Sequence, residues 1–410
     1  MNERIVTGID IGTSKVCTII AEIASDGVLD IIGEGNAPSE GVRRGSIVSL
    51  EKTTLAIQSS LRAAERAAGV PFPGRAIVGV NGSYVKSFST HGTTQLEQKV
   101  VQPQDIEAAC AAAHPPDLEA EYQIFHRLPI SYRLDDQNLT GDPIGMPGNH
   151  LEVEVFLTGA PKSELTKLRQ AIESAGVFPE GWVLASYASA LCTLNPEELG
   201  QNVLLLDIGA GVSQGVLLRG GCPIYAAAIP LGGNLVSSDI AQILKIPLEE
   251  AERVKKKYGA ALPELADPDL VLEVNPNGGS SGTLPALELS RYIRPRVVEI
   301  LSHYQKAFQP ALDQQKMSLD QVILTGGGAL LRGSDELAHR LLGIPVRIGR
   351  PQGVSGLAQE VSSPTHTTAV GLVRYAATQG KLDAASQAKV SEPASPSLWS
   401  RIRNSFKNFF

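Results

Sequence analysis

The sequence has no apolar run close to the ~18 residues that a helix needs to cross a bilayer. Asp10 and Lys15 interrupt the apolar start of the chain, so we expect no signal peptide and a protein that begins in the cytosol. Cysteine is scarce: the four residues include no Cys-x-x-Cys pair, and the seven histidines show no metal-ligand spacing. These absences favour reduced, buried thiols over a zinc or disulfide site.

Basic residues are outnumbered, with 36 Lys and Arg against 43 Asp and Glu, and the net charge of −7 argues against a nucleic-acid partner. A G-x-x-x-x-G-K-[ST] loop is absent, and the nearest approach to G-x-G-x-x-G ends in Gln214 instead of glycine. The common nucleotide motifs are therefore missing. A chain of 410 residues exceeds one ordinary core and suits two lobes or several subdomains.

Two segments share one design. Residues 5–23 and 203–218 each predict a strand that ends near an aspartate, a turn that contains glycine, and a second strand. The likeness of the turns at Asp10 and Asp207 predicts two halves built from the same unit.

A third glycine-containing segment differs from these two. In residues 321–333 a buried-type strand runs into three glycines, and a helix pattern follows to Leu342. Other helix patterns separate the strands, which predicts an α/β architecture. These helical segments are 50–68, 163–175, 248–258 and 287–308.

The chemistry of the three turns suits a nucleoside triphosphate. Backbone N–H groups, hydroxyls and a lysine bind phosphate oxygens, and glycine lets the backbone approach them. Asp10 and Asp207 would hold Mg²⁺ and its water, and they are the candidate catalytic residues. The third turn should open a helix whose N-terminus favours an anion or a nucleotide. The predicted nucleotide-binding residues of the turns are Gly12, Thr13, Ser14, Lys15, Gly209, Gly211, Ser213, Gly326, Gly327, Gly328 and Ala329.

Each turn alone has a simpler interpretation, because an Asp-x-Gly turn between two strands is usually only a hairpin. All three in this order resemble the phosphate-one, phosphate-two and adenosine motifs of the actin, heat-shock chaperone and sugar-kinase superfamily. Segments 186–191 and 366–373 resemble the two connecting helices of that superfamily, and their small residues permit close packing. Plain buried helices would fit the same two segments.

Four further segments resemble the FtsA family of bacterial cell-division proteins, and the similarity covers about residues 4 to 378. The segment 139–155 resembles the signature of subdomain 1C, which actins, chaperones and kinases lack. The turn at Asn81 departs from the Gly-x-His pattern of the family, and Ser238 stands where the family often has Thr. The other three segments are 41–51, 229–241 and 249–259.

The resemblance implies a two-lobed, actin-like α/β fold with an FtsA-type subdomain 1C and a C-terminal amphipathic helix. It also implies the following division of the chain: subdomain 1A over 1–83, completed by 163–200 and 365–379; 1C over 84–162; 2A over 201–241 and 320–364; 2B over 242–319; a disordered linker over 380–396; and a membrane-targeting helix over 397–410.

The function that the resemblance implies is a scaffold. It would bind ATP and Mg²⁺, polymerise with copies of itself, and tether FtsZ to the cytoplasmic face of the cell membrane at the division site, with other division proteins as partners. Glu252, Lys255 and Lys256 would contact the adenine or ribose, although a solvated charged helix face fits their spacing equally. Arg294 and Arg296 would contact the acidic C-terminal peptide of FtsZ, or else form a solvated helix face.

The last fourteen residues form a distinct pattern after the predicted linker. On a helix with about 100° per residue, six large apolar side chains share an arc of about 120° with cations at its edges. This pattern predicts a helix in the interface of an anionic membrane, and docking into a protein groove is the alternative. The residues concerned are Leu398, Trp399, Arg401, Ile402, Arg403, Phe406, Lys407, Phe409 and Phe410.

Two other functions remain open from the sequence. An actin-like pilus-assembly protein shares much of this layout, but the basic aromatic tail favours FtsA. A small-molecule kinase needs a general base beside an acceptor pocket, and the sequence offers no candidate apart from Asp10 and Asp207. We expect at most a weak ATPase.

Overall fold

Strands and helices alternate along the chain, as the sequence predicts. A computed structural model describes residues 4–24, 28–115, 119–139, 141–274 and 282–388. Its strands are β1 Arg4–Ile11, β2 Lys15–Ile23, β3 Leu29–Pro38, β4 Val42–Arg43, β5 Ser46–Ile47, β6 Arg75–Val80, β7 Lys86–Gln95, β8 Tyr122–Leu134, β9 Gln137–Leu139, β10 His150–Pro161, β11 Phe178–Leu184, β12 Asn202–Ile208, β13 Ser213–Arg219, β14 Cys222–Ile229, β15 Val271–Val274, β16 Gly282–Pro285, β17 Gln321–Thr325, β18 Val346–Ile348 and β19 Val354–Gly356. Its helices are α1 Leu50–Ala68, α2 Pro103–Ala112, α3 Lys162–Ser174, α4 Ala185–Thr193, α5 Gly233–Leu244, α6 Leu248–Tyr258, α7 Ala286–Gln314, α8 Ser334–Leu342 and α9 Thr367–Ala388.

The two largest sheets repeat one topology. The first has the order β11-β6-β1-β2-β3-β19, and the second has the order β14-β13-β12-β17-β18. In each sheet an antiparallel hairpin, β1–β2 or β12–β13, has a parallel strand beside its first strand, β6 or β17. An antiparallel third strand, β3 or β14, follows the hairpin. The prediction of two halves built from the same unit is therefore confirmed.

Helices α4 and α9 connect the two lobes. Helix α9 packs on β1, β2 and β6, while α4 contacts β11, β12 and β13. The two helices also pack on each other so closely that a Cβ at Gly371 would lie 1.8 Å from the backbone oxygen of Ala188. The small residues that the sequence shows in both segments are what permit this approach.

A smaller four-stranded sheet, in the order β7-β10-β8-β9, carries α2 against one face. It also reaches the second lobe through β7. The Ser87 hydroxyl donates to the Ala226 carbonyl oxygen at 2.6 Å and accepts from the Ala226 N–H at 2.9 Å. These two bonds fix the small sheet against β14.

Helix α7 forms one wall of the second lobe and extends beyond the predicted range of 287–308. Its buried residues follow helical spacing and include Ile293, Ile300, Tyr304 and Phe308. The Tyr304 hydroxyl lies 3.3 Å from the carbonyl oxygen of Asp207 and 3.1 Å from that of Gln214. Helix α7 therefore positions the β12–β13 hairpin.

Two sequence predictions need correction at the level of local structure. The triple-glycine turn does not open an α-helix, because a 3-10 turn over Gly327–Leu330 begins within it and α8 begins only at Ser334. The segment predicted as a linker overlaps α9, which continues to Ala388 through an alanine-rich stretch that favours helix. The rest of the linker and the membrane-targeting segment 397–410 lie outside the described residues. Within the described ranges, no helix is both long and apolar enough to cross a membrane.

Candidate functional site: a cleft between two matching hairpins

A cavity of about 530 Å³ lies between the two large sheets. It brings together most of the residues that the sequence predicts to bind a nucleotide and Mg²⁺. Ser213 and Ala329 are the exceptions. The predicted residues that line the cavity are Asp10, Gly12, Thr13, Ser14, Lys15, Asp207, Gly209, Gly211, Glu252, Lys255, Lys256, Gly326, Gly327 and Gly328.

The first hairpin joins β1 to β2 through a tight turn. The Gly12 N–H donates to the Lys15 carbonyl oxygen at 2.9 Å, which closes the turn. Asn81, at the end of β6, donates its side-chain amide to the Ile11 carbonyl oxygen at 3.2 Å and lies 3.4 Å from Asp10 Oδ1. The neighbouring parallel strand therefore holds the hairpin and its carboxylate in place.

The second hairpin, between β12 and β13, closes in the same way. The Gly209 N–H donates to the Val212 carbonyl oxygen at 3.1 Å. Its tip meets the tip of the first hairpin, because a Cβ at Gly211 would lie 2.8 Å from Thr13 Cγ2. Glycine at this position therefore lets the two turns approach each other across the cavity.

The two aspartates face the same space and are poorly solvated. Burial, together with the nearby Asp207 carboxylate, raises the pKa of Asp10 to about 7. Burial outweighs the hydrogen bonds from the Thr368 and Ser189 hydroxyls and raises the pKa of Asp207 to about 6. A divalent cation would relieve both the desolvation and the repulsion, so the donor set fits Mg²⁺.

A cluster of charges on α6 lies at another part of the cavity wall. Lys255 Nζ donates to the Gly233 carbonyl oxygen at 2.9 Å and to Ser237 Oγ at 2.8 Å, and it pairs with Glu252 at 2.5 Å. Burial alone would raise the pKa of Glu252, but the hydrogen bonds from Lys255 and Ser237 lower it. Lys256 pairs with Glu252 at 3.1 Å and stays exposed. These contacts fix α6 to the start of α5, so the cluster is more than a solvated helix face.

The triple-glycine turn packs against the end of β12. Gly326 has a φ of +78°, and a Cβ there would lie 2.2 Å from Asp207 Oδ1. Ala329 is buried and does not line the cavity. Ser213 is also buried, and its hydroxyl donates to the Leu231 carbonyl oxygen at 2.7 Å. Neither residue is therefore part of the cavity lining, and their role in nucleotide binding stays a prediction.

Several lining residues escaped the sequence analysis. Asn81 was noted only as a departure from a family pattern. Thr367 and Thr368 belong to the segment 366–373 assigned to a connecting helix, and Thr365 directly precedes that segment. The cluster of threonines at the start of α9 was the feature of the sequence that could have indicated these lining residues. Apolar lining comes from the inner face of α7, at Val297, Ile300 and Leu301.

The two arginines predicted to meet a partner differ in environment. Arg296 is held by both oxygens of Asp239, at 2.7 and 3.0 Å, and it also pairs with Glu299. Arg294 is exposed. Arg296 is therefore ion-paired, whereas Arg294 takes part in no ion pair among the described residues.

Solved structures agree with the two-lobed arrangement. The PilM-PilN type IV pilus biogenesis complex has a TM-score of 0.65 at 18% identity, and the match covers 91% of this chain and 98% of that chain. MreB 5 of Spiroplasma citri bound to AMPPNP has a TM-score of 0.58 at 15% identity, covering 93% and 99%. At these identities the likeness concerns the fold alone. The duplicated lobes and the cleft between them define the class as the actin-like proteins.

Comparison of sequences narrows the class to a family. The family model of cell division protein FtsA matches residues 204–371, and that of the SHS2 domain inserted in FtsA matches residues 82–158. The cell division protein FtsA of Pseudomonas aeruginosa is 32% identical over 378 residues, which cover 91% of this chain and 89% of that protein. FtsA of Escherichia coli is 28% identical over 412 residues, which cover 99% and 98%. The chain belongs to the FtsA family of actin-like cell-division proteins.

Proposed function

We propose that this protein is an ATP-dependent scaffold that polymerises and tethers FtsZ filaments to the cytoplasmic membrane at the division septum. The proposal that the protein binds ATP rests on two carboxylates, Asp10 and Asp207, which lie on two matching hairpins and line one cavity. Membership of the FtsA family supports the cell-division part, and it favours this role over pilus assembly or small-molecule phosphorylation.

The cleft would bind ATP in a defined orientation. The backbone of the two hairpins, the Thr13 and Ser14 hydroxyls and the Lys15 ammonium would bind the phosphates. Asp10 and Asp207 would hold Mg²⁺ through water, and the ion would neutralise phosphate charge. The wall that contains Glu252 and the apolar face of α7 would then receive the nucleoside. Water held near the two carboxylates would permit at most slow hydrolysis.

The remaining subdomains would supply the partner contacts. We infer the ranges given by the resemblance: 1A over 1–83 with 163–200 and 365–379, 1C over 84–162, 2A over 201–241 and 320–364, and 2B over 242–319. Subdomain 1C of one copy would contact the neighbouring copy in a filament. On 2B, the exposed Arg294 suits an acidic FtsZ peptide better than Arg296, because two carboxylates already pair with Arg296.

The amphipathic segment 397–410 would attach the filament to anionic lipid. Six partly buried apolar side chains contribute roughly 6–10 kcal/mol, and each cation adds about 1 kcal/mol. Ordering fourteen residues costs on the order of 1 kcal/mol or more for each. One tail would therefore bind weakly, whereas the many tails of a filament would bind firmly through effective concentration.

Nucleotide binding is tested by titrating ATP into the full chain, with Mg²⁺ and with EDTA. We expect Mg²⁺ to tighten binding, and we expect Asp207→Asn and Asp10→Asn to abolish that enhancement. Asp269→Asn changes an exposed aspartate that does not line the cavity and serves as the matched control. An unchanged Mg²⁺ enhancement in both cleft variants would contradict the assignment.

Tethering is tested by sedimentation with anionic vesicles, ATP and FtsZ, comparing the full chain with one that ends at Ser395. The full chain should carry FtsZ down with the vesicles, and the shortened chain should leave FtsZ in the supernatant. If both chains stay in the supernatant, the tail docks on protein instead of lipid. Assembly-deficient variants that stay on the vesicles would refute the coupling of assembly and attachment.

A further inference from the structure

Three side chains of different types converge beside the nucleotide cleft. Cys17 on β2, Glu34 on β3 and His366 in the 3-10 turn Pro364–His366 each place one ligand atom within 4.8 Å of the other two. His366 Nε2 lies 3.2 Å from Glu34 Oε1. Cys17 and His366 are buried, while Glu34 is half-buried. None of these residues belongs to the nucleotide site described above.

The sheet explains how two of the ligands meet. Cys17 is the cross-strand partner of Asn36, and Ile19 is the partner of Glu34, so Cys17 and Glu34 are diagonal neighbours on one face of the β2–β3 pair. The 3-10 turn Pro364–His366 covers this face and adds the imidazole. Spacing along the sequence cannot reveal the cluster, because the third ligand comes from the far end of the folded chain.

We propose that Cys17, Glu34 and His366 form a binding site for Zn²⁺. A thiolate, an imidazole and a carboxylate are the ligands that zinc takes in proteins, and three protein ligands leave a fourth position for water or a further side chain. Asn36 lies next to that position, since its amide contacts Glu34 Oε1 and sits 3.4 Å from His366 Nε2.

The surroundings meet the other requirements of a zinc site. The second ring nitrogen of His366, Nδ1, lies 3.5 Å from the Thr365 hydroxyl, which can hold the ring in a ligating orientation. Asn36 is exposed, so an ion can reach Glu34 from solvent. Zinc binds the thiolate form of cysteine, so its binding would release the Cys17 proton.

A bound ion would connect the first lobe to the cleft. His366 directly precedes Thr367 and Thr368, both of which line the cavity, and Thr368 donates to Asp207 Oδ2 at 3.2 Å. On the other side, the Gly326 N–H donates to the Pro364 carbonyl oxygen at 3.2 Å. Zinc would thus fix, against β2 and β3, the segment that supports the Asp207 carboxylate.

The test uses the full chain, stripped of metal and then saturated with Mg²⁺ and ATP so that the cleft aspartates are occupied. A background with Cys110→Ser and Cys222→Ser removes the two thiols that are not fully buried. Co²⁺ added to this protein should give one equivalent of a tetrahedral spectrum with a thiolate-to-cobalt charge-transfer band. Competition with a chromogenic chelator then measures the affinity for Zn²⁺.

Cys17→Ser and His366→Asn should each weaken Zn²⁺ binding by at least about 100-fold. This loss exceeds the one usually caused by removing a residue that only hydrogen-bonds to a metal ligand. Glu34→Gln changes a half-buried side chain and provides a variant that keeps the sheet intact. His303→Asn removes an exposed histidine and should have no effect. Absence of the charge-transfer band, or Zn²⁺ affinity unchanged in Cys17→Ser and Glu34→Gln, would mean that the cluster is only a hydrogen-bonded anchor. ATP binding measured in parallel separates this outcome from failure of the cleft.

Discussion

Buried His126 should make the stability of this protein depend on pH between 4 and 6.5. The side chain leaves the four-stranded sheet at β8 and packs between Tyr375 and Tyr187, with ring centroids 5.5 and 5.7 Å away. Neither ring nitrogen has a hydrogen-bond partner within the described residues. Burial lowers the pKa of His126 to about 4 from its ordinary value of 6.5. The neutral imidazole is therefore the form that the folded state accommodates.

The sign and size of the effect follow from proton linkage. Below pH 6.5 the unfolded chain binds a proton at His126 that the folded chain excludes, so stability falls as the pH decreases towards 4. The difference between the two pKa values corresponds to about 3 kcal/mol of unfolding free energy. Asp10 and Asp207 have the opposite effect on stability. Their pKa values are raised on folding, so their contribution to the unfolding free energy increases as the pH falls.

A matched variant isolates the contribution of the histidine. His126→Phe keeps an aromatic ring between the two tyrosines and removes the titrating group. Urea unfolding at pH 7, 5.5 and 4.5 gives the unfolding free energy of both proteins, and the carboxylate effects cancel in the difference. We expect the variant to gain up to about 3 kcal/mol relative to the native chain as the pH falls. A difference that stays constant with pH would refute the assignment.

Two further substitutions test the packing that holds the lobes together. Gly371→Ala should lower the unfolding free energy by about 1–3 kcal/mol, because α4 leaves no room for a Cβ, whereas Gly200→Ala, with open space around it, should be neutral in the same urea titration. Arg347→Met should lower the unfolding free energy by about 3 kcal/mol, because it leaves the buried Glu198 carboxylate without its bidentate partner. The two exposed ion pairs of Arg340 should contribute little, so Arg340→Met should lower the unfolding free energy by less than about 1 kcal/mol. Equal losses in the two arginine variants would contradict this reasoning.

The parts of the site that could be predicted from the sequence are those encoded locally. Asp10 and Asp207 stand next to glycine turns between two strands, and the β-hairpins form from residues that are neighbours in the chain. Helix α6 is similarly local, since its apolar spacing and its charged last turn define both ends at Leu248 and Tyr258.

The parts that could not be predicted depend on tertiary contacts. Asn81 reaches the first hairpin from β6, and Thr368 reaches Asp207 from the last described helix. The prediction of an α-helix directly at the triple glycine is wrong for a related reason. A Cβ at Gly328 would lie 2.3 Å from Ile208 Cγ2, so packing against β12 sets the backbone there and overrides the local apolar pattern.

The duplicated hairpin also explains why a ligand in this cleft should act on the relation between the lobes. Each lobe provides one buried carboxylate, Asp10 or Asp207, and neither lobe alone offers both. Burial and, after it, repulsion from Asp207 raise the pKa of Asp10, so bringing the hairpins together without a cation costs free energy. A cation with a triphosphate removes that cost only when both hairpins contact it. A ligand that binds the closed arrangement more tightly must shift the population towards closure by the ratio of its affinities for the two arrangements. On the proposed function, the contact between Gly211 and Thr13 would couple nucleotide binding to closure of the lobes.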